Sequence, residues 1–178
     1  MNTDLTFFTN EKDATLVDRF KTLLKHSQFL DVIVGYFRIS GFHLLENDFD
    51  KTEKIRILNG INVDKGTIQA IEKSENDIEI FSEADAKNHL KETIKIDLEN
   101  SDDTEIVDSS IKKFIEMLKN RKIEIRQHRR NAIHAKVYIC RLNQESQTEY
   151  GKIITGSSNF SHNGLLGQYE FNVELKNS

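Results

Sequence analysis

The sequence predicts a single α/β domain, and three observations support this prediction. Helical and strand periodicities alternate through the first 60 residues, as is typical of a sheet covered by helices. Residues 31–37 contain a continuous uncharged, mostly apolar run at 32–37, as expected for a central strand buried on both faces. The chain has 178 residues, which is enough for one sizeable core, so we assign residues 1–178 to one domain.

The predicted elements follow in order along the chain. Leu16, Phe20 and Leu23 recur at helical spacing and predict a helix over 14–25. Ser40 is a suitable N-cap for a short helix at 40–45. Residues 64–99 indicate one helix and a short segment of undecided type. The remaining elements are strands at 31–37, 54–58, 123–125, 135–140, 151–155 and 170–175, a helix at 102–120, and a short helix at 161–166; the strands at 135–140 and 151–155 should form a hairpin.

The composition excludes several classes of protein. No apolar run approaches the roughly 18 residues that a membrane helix needs, and the N-terminus lacks the basic and apolar segments of a secretory signal. The single cysteine, Cys140, excludes an internal disulfide and a cysteine-built zinc site. We therefore expect a cytoplasmic protein without membrane contact.

Charge is distributed unevenly along the chain. Residues 1–110 hold 13 Lys/Arg and 23 Asp/Glu, whereas residues 111–178 hold 12 Lys/Arg and 6 Asp/Glu. Nine basic and two acidic residues lie between Lys112 and Lys136. Such a basic stripe is either a face that binds a polyanion or a solvated helix face that is balanced by the acidic half.

His134 and Lys136 form the first candidate site. Two residues apart on a strand, their side chains should lie on one face. A histidine beside an ammonium group tends to stay neutral and is then available as a nucleophile or base. From these two residues alone, a pair of unrelated surface side chains is the alternative.

The stretch Gly156-Ser157-Ser158-Asn159 is the second candidate site. It follows a predicted strand and precedes a predicted short helix. Its backbone N–H groups, hydroxyls and amide are suited to binding phosphate oxygens, although a polar turn without a ligand has the same composition.

Taken together, these residues resemble the phospholipase D superfamily. Its signature is His-x-Lys, four residues, Asp, and a Gly-Ser-x-Asn element one strand later, with a Glu eleven residues after the Asn in single-domain nucleases. His134, Lys136, Ser157, Asn159 and Glu170 stand at the matching positions. The resemblance implies a phospholipase-D-like α/β/α sandwich with a central mixed sheet, one motif per chain, and these five residues as the catalytic set.

One position departs from the signature. The family Asp would fall at position 141, where this chain has Arg141. The resemblance implies that this Asp is mainly structural, so Arg141 removes no group that touches the phosphate, although it favours reduced activity.

A second, looser resemblance covers nearly the whole chain. Runs such as Val34-Gly-Tyr-Phe and Ile55-Arg-Ile-Leu-Asn-Gly look like the N-terminal phospholipase-D-like domain of bacterial Swi/Snf-type helicases and restriction-associated proteins. It implies that the chain is the first domain of a longer helicase-type protein.

The family chemistry passes through a phosphohistidine and needs two histidines. With one motif per chain, the resemblance implies a homodimer in which His134 of each copy contributes to one shared site. Lys136, Ser157 and Asn159 would hold the phosphate, and Glu170 would accept a hydrogen bond from His134. The resemblance implies no metal and no other cofactor.

The basic stripe favours nucleic acid as the substrate, and DNA over RNA or lipid. Arg126, Arg129 and Arg130 lead into His134 and would clamp backbone phosphates together with Ser158. The leading hypothesis is therefore a metal-independent nuclease domain of a restriction or defence system. The alternatives are a catalytically weak phosphate-binding module, which Arg141 favours, and a phospholipase or small-phosphodiester hydrolase.

Overall fold

The fold is built on a seven-stranded mixed sheet with the strand order β1-β7-β6-β5-β2-β3-β4. The computed structural model describes residues 5–11, 15–63, 104–127, 133–143 and 150–177. Strands β2, β3 and β4 are parallel to one another, and all other neighbours are antiparallel. The α/β class with a central mixed sheet is thereby confirmed. The strands are β1 (Leu5–Thr9), β2 (Ser27–Phe37), β3 (Lys54–Val63), β4 (Ile123–Gln127), β5 (Lys136–Leu142), β6 (Gly151–Gly156) and β7 (Phe171–Asn177).

The described helices cover one face of this sheet. Phe20 of α1 packs edge-on against Tyr138 of β5, with 5.0 Å between ring centroids. Phe114 of α3 stacks on Phe37 of β2 at 6.1 Å, and all four rings belong to one buried cluster. The helices are α1 (Leu16–Leu24), α2 (Ile39–His43) and α3 (Thr104–Lys119), with a 3-10 turn at Asp48–Lys51 and a π-helical turn at Asn163–Gly167.

Local sequence explains where α1 begins. The Thr15 hydroxyl accepts a hydrogen bond from the Asp18 N–H at 3.1 Å, as an N-cap does. The buried Asn10 side chain accepts a second bond from the Leu16 N–H and donates to the Gly164 carbonyl, each at 2.9 Å. Asn10 therefore ties the start of α1 to the π-helical turn that follows the Gly-Ser stretch.

Strand β2 is buried more completely on one face than on the other. Leu30, Val32 and Val34 are fully buried toward the helices, whereas Asp31 and Ile33 on the opposite face are half-buried. The expectation of complete burial on both faces is therefore only half right. Alternating burial is the ordinary consequence of the two-residue repeat of a strand.

Several predicted elements are confirmed and one was missed. The predicted hairpin is the antiparallel pair β5–β6, with Val137 opposite Thr155. The short helix expected at 161–166 is the π-helical turn Asn163–Gly167. Strand β1 was not predicted; it pairs with β7, and Phe7 lies opposite Val173. The prediction for residues 64–99 lies outside the described residues.

A buried ion cluster fixes β7 against the rest of the domain. Glu174 is completely buried, and both of its carboxylate oxygens accept hydrogen bonds from Arg19 of α1. Lys152 of β6 lies 3.7 Å from the same carboxylate. Because a buried carboxylate without partners is costly, these two cations position the strand that directly follows Glu170.

Candidate active site

The candidate residues meet at one end of the sheet. In the antiparallel pairs β2–β5 and β6–β7, the end of one strand lies beside the start of its neighbour. Val34 pairs with Lys136, and Gly156 pairs with Asn172. His134, just before β5, and Ser157, just after β6, therefore lie at the same edge as Glu170, which precedes β7.

His134 and Lys136 are in direct contact, as their spacing predicted. Lys136 Nζ lies 3.0 Å from Nδ1 and 3.0 Å from Nε2 of the His134 ring, so the amine contacts the ring close to both nitrogens. It also donates a hydrogen bond to the His134 carbonyl at 3.2 Å. The imidazole itself is exposed. A phosphate that reaches this ring would touch the amine at the same time.

Lys136 is unusually buried for a lysine, with 8% of its surface exposed. Burial lowers the pKa of its amine, and the negative charge of Glu170 acts in the opposite direction. An ammonium that has lost most of its water interacts more strongly with an anion than a fully hydrated one does. The site therefore offers a desolvated cation next to the candidate nucleophile.

Ser157 and Glu170 form a second polar pair. The Ser157 hydroxyl donates a hydrogen bond to Glu170 Oε2 and accepts one from the Phe171 N–H at 3.0 Å. The Ser157 N–H donates to the Phe171 carbonyl, also at 3.0 Å. We expected Glu170 to accept a hydrogen bond from His134; in this structure its Oε2 accepts one from the Ser157 hydroxyl instead.

Asn159 is fixed from β2. Its Oδ1 accepts a hydrogen bond from the Tyr36 N–H at 3.1 Å. This bond orients the amide and leaves its NH₂ group available as a donor. The structure thus places four groups that can contact a phosphate at one edge of the sheet. They belong to His134, Lys136, Ser157 and Asn159.

Ser158 does not face the site, which corrects its assignment as a substrate-binding residue. It is fully buried, and its hydroxyl accepts a hydrogen bond from Asn172 Nδ2 at 3.0 Å. Its carbonyl accepts a 2.8 Å bond from the Tyr138 hydroxyl, whose pKa is raised by burial so that it remains a donor. Ser158 therefore fastens the phosphate-binding turn to the core.

The arginines of the basic stripe are only partly described. Arg126 is highly exposed, and its nearest acidic partner is Glu124 at 3.8 Å. Through Leu58 and Ile33, it lies in the same row of the sheet as Val137. Three strand spacings place it about 14 Å from Val137, on the sheet face opposite the one that Lys136 occupies. Arg129 and Arg130 lie outside the described residues.

Two glycines shape the site, and the sequence prediction did not assign them to it. A Cβ atom on Gly35 would lie 3.3 Å from His134 Cδ2 and 3.6 Å from Asn159 Oδ1. A Cβ atom on Gly60 would lie 2.0 Å from the Ile133 carbonyl oxygen. The missed signal was a glycine inside an apolar strand run, which often marks a bulge or a close approach; the β2–β3 register indeed shifts between Val34 and Tyr36.

Arg141 lies far from this edge. Five residues along β5 separate it from Lys136, a distance of about 17 Å. Its guanidinium lies 3.5 Å from Asp31 Oδ2 and 4.4 Å from the centre of the Phe29 ring. Arg56 binds the same Asp31 through two hydrogen bonds, at 2.5 and 2.7 Å. The departure from the signature therefore changes a surface ion pair and no group of the site.

Two further observations concern ligands and membranes. Among the described residues, no group of three or more His, Cys, Asp or Glu side chains is arranged to hold a metal ion. No helix in the described ranges is long and apolar enough to span a membrane.

Comparison with known families identifies the domain. A family model described as "Cardiolipin synthase, PLD-like domain" matches residues 21–178. The chain belongs to this PLD-like family. Membership supports chemistry at phosphodiester bonds in general. No curated protein sequence matches the chain.

Solved structures agree with the PLD-like fold. Yeast tyrosyl-DNA phosphodiesterase superposes with a TM-score of 0.51 at 16% identity, covering 96% of this chain and 31% of that one. Phosphatidylserine synthase of Haemophilus influenzae gives 0.52 at 13% identity, covering 97% and 34%. The PLD-like domain thus spans about a third of each of these chains, and at such identities the likeness establishes the fold.

Proposed function

We propose that this PLD-like domain is a phosphodiesterase of the nuclease type, acting through a phosphohistidine at a site shared by two copies. The observation that carries the proposal is the position of Lys136 Nζ, 3.0 Å from both ring nitrogens of His134, at the sheet edge that also carries Ser157 and Asn159. A candidate nucleophile and three candidate phosphate-binding groups then lie at one edge of the sheet.

The first chemical step would use the lone pair of a His134 ring nitrogen. This nitrogen forms a bond to phosphorus while the bond from phosphorus to the leaving oxygen breaks. The leaving oxygen takes a proton from the partner subunit's His134. That second imidazole then removes a proton from water, the resulting hydroxide attacks phosphorus, and the nitrogen–phosphorus bond breaks. Two copies are required because a single chain supplies one motif.

The Ser157–Glu170 hydrogen bond links phosphate binding to the orientation of the His134 ring. A phosphate oxygen would draw the Ser157 hydroxyl away from Glu170. The released carboxylate could then accept a hydrogen bond from the second ring N–H of His134, which orients the ring and stabilises its cationic form. Glu170 would thus be a positioning residue that engages when phosphate arrives.

Nucleic acid is the substrate that the charge pattern supports best, and DNA is our choice over RNA. Arg126 is exposed on β4, at the edge of the sheet, where it could contact a backbone phosphate at a distance from the site. The looser resemblance to the first domain of bacterial Swi/Snf-type helicases supports an association with a helicase in a restriction or defence system. The cardiolipin synthase family description makes a phospholipid headgroup the second candidate.

Hydrolysis in the presence of EDTA tests the proposal. We expect cleavage of bis(p-nitrophenyl) phosphate and of single-stranded DNA by the wild type, since the proposed chemistry uses no metal. His134→Ala should reduce the rate at least about 1,000-fold, because it removes both the nucleophile and the acid.

His26→Ala is the matched control, since His26 is exposed just before β2, at the end of the sheet away from the candidate site. It should retain wild-type rates. Cleavage that survives His134→Ala would eliminate the site assignment. Hydrolysis of cardiolipin in vesicles without hydrolysis of DNA would show that the substrate is a phospholipid and not a nucleic acid.

A further inference from the structure

Tyr36 lies at the site end of β2 and faces the His134 ring. In the antiparallel pair β2–β5, Val34 lies opposite Lys136. The same register continued by two residues places Tyr36 opposite His134. The two rings are perpendicular, with 6.4 Å between their centroids and 89° between their planes. Tyr36 therefore forms an edge-to-face pair with the candidate nucleophile, at a separation typical of interacting aromatic rings.

An exposed histidine ring needs outside contacts to keep one orientation. Rotation of an imidazole about the bond to its Cβ atom has broad energy minima, and the His134 ring is exposed. Lys136 Nζ contacts the ring close to its nitrogens, and the Gly35 backbone lies beside its Cδ2 atom. Among the described residues around this ring, Tyr36 supplies the bulkiest and most rigid group.

The carboxylate that would orient His134 has another partner in this structure. Glu170 Oε2 accepts a hydrogen bond from the Ser157 hydroxyl. In the described part of the chain, the ring nitrogens of His134 contact Lys136 alone. Before a phosphate binds, the orientation of the ring therefore depends on the packing of its flat sides and edges, to which Tyr36 contributes.

The backbone of Tyr36 holds a second group of the site. Its N–H donates a hydrogen bond to Asn159 Oδ1 at 3.1 Å. This bond comes from the main chain, so a change of the Tyr36 side chain leaves the donor in place. The contact of the side chain with His134 can therefore be tested separately from the contact of the backbone with Asn159.

Tyr36 differs in burial from its neighbours on β2. Val34 and Phe37 are 0% and 1% exposed and belong to the hydrophobic core. Tyr36 is half-buried and lies outside this core cluster. Its ring thus stands between the core and the exposed His134 ring, which is the position that a support for that ring requires.

We infer that Tyr36 is a positioning residue, whose ring keeps the His134 imidazole in the orientation required for attack on phosphorus. This inference rests on the proposed role of His134 as the nucleophile. Attack requires a ring nitrogen lone pair aligned with phosphorus, and a small displacement of an attacking group lowers the rate strongly. The contact is between the two rings, so the effect belongs to the aromatic ring of Tyr36 and not to its hydroxyl.

Tyr36→Phe and Tyr36→Leu test the inference. Tyr36→Phe keeps the ring and should hydrolyse bis(p-nitrophenyl) phosphate within about twofold of the wild-type rate. Tyr36→Leu should lower kcat about tenfold with KM unchanged, because the ring is lost while the phosphate-binding groups stay in place. The NMR resonances of the His134 ring, assigned by their absence from His134→Ala, should move in Tyr36→Leu and stay near their wild-type positions in Tyr36→Phe.

Tyr150→Leu is the matched control, because Tyr150 is 78% exposed just before β6, at the end of the sheet away from the site. It should change neither kcat nor the His134 resonances. Equal losses of activity in Tyr36→Phe and Tyr36→Leu would assign the effect to the hydroxyl and overturn the inference. A raised KM with unchanged kcat would make Tyr36 a substrate contact and would overturn it as well, as would unmoved His134 resonances in Tyr36→Leu.

The NMR comparison separates this inference from the proposed function. A wild type that hydrolyses no phosphodiester would reject the proposed function, and the His134 resonances would still decide whether Tyr36 holds the ring. If Tyr36→Leu does not fold, Tyr36→Met takes its place, since its longer side chain fills more of the space that the ring leaves. The expected and contradicting results for Tyr36→Met are the same.

Discussion

The two ends of β5 differ in what their side chains do. At one end, Lys136 is buried against the exposed ring of His134 and faces groups from β2, β6 and β7. At the other end, Arg141 is nearly half exposed and pairs with Asp31 on the neighbouring strand. Both positions belong to the signature of the family, but only the first can touch a phosphate. A match to the family signature therefore has to be weighed position by position.

The largest effect is expected from removing the cation at the Lys136 end of β5. Lys136→Met keeps a long unbranched side chain and removes its charge. It should lower the rate of phosphodiester hydrolysis about 100- to 1,000-fold, because one group that stabilises the charge of the transition state is lost. Burial lowers the pKa of this amine, which means that the fold disfavours its charged form. Removing the charge should therefore leave the thermal unfolding temperature unchanged or higher.

Lys25→Met, at an exposed lysine just after α1, is the control and should change neither quantity. If Lys136→Met unfolded the protein instead, the amine would be part of the scaffold, and its catalytic assignment would fail.

A smaller effect is expected from the glycine that packs against His134. A Cβ atom added at Gly35 would press on the His134 ring at 3.3 Å, so Gly35→Ala should displace the ring by a few tenths of an ångström and reduce the rate about tenfold. Stability should be unchanged or slightly raised, because glycine inside a strand is unfavourable. Steady-state kinetics and a thermal melt of the same variant would check whether the rate falls while the stability does not. An unchanged rate would show that the position of the His134 ring is not critical.

The smallest effect on activity is expected at the other end of β5. Arg141→Asp restores the family residue, but the new carboxylate would lie diagonally across from the carboxylate of Asp31 on β2. Activity should stay within about twofold of the wild type, since the position is about 17 Å from Lys136. Stability should fall by about 1 kcal/mol through the lost surface pair and ring contact. A large gain in activity would mean that Arg141 does weaken the site.

The sequence predicted which residues lie near one another better than it predicted the hydrogen bonds between them. The spacing of His134 and Lys136 placed both on one face of the chain, and a strand repeat is enough to determine that. The partners of Ser158 and Glu170 depend on how the turn after β6 meets β7, and local sequence does not encode that geometry. Gly35 escaped assignment for the same reason, because its role depends on Ile133 and His134, about 100 residues later in the chain.

The fold shows a similar division. Elements with a clear repeat, such as α1 and β5, were predicted close to their observed positions. Strand β1 was missed because residues 5–9 lack a strong alternation and are held by pairing with β7 at the other end of the chain. Pairing over such a separation is a tertiary effect that overrides weak local preference.

The most direct test of the account is to trap the covalent intermediate. Wild-type protein mixed with DNA in the presence of EDTA should be quenched within the first turnover, under alkaline conditions that preserve a phosphohistidine, and its peptides analysed by mass spectrometry. A phosphohistidine mechanism predicts a nucleotide joined to the His134 peptide through a phosphorus–nitrogen bond, and no adduct in the His134→Ala variant. Rapid hydrolysis without any adduct on His134, or an adduct on another residue, would contradict it.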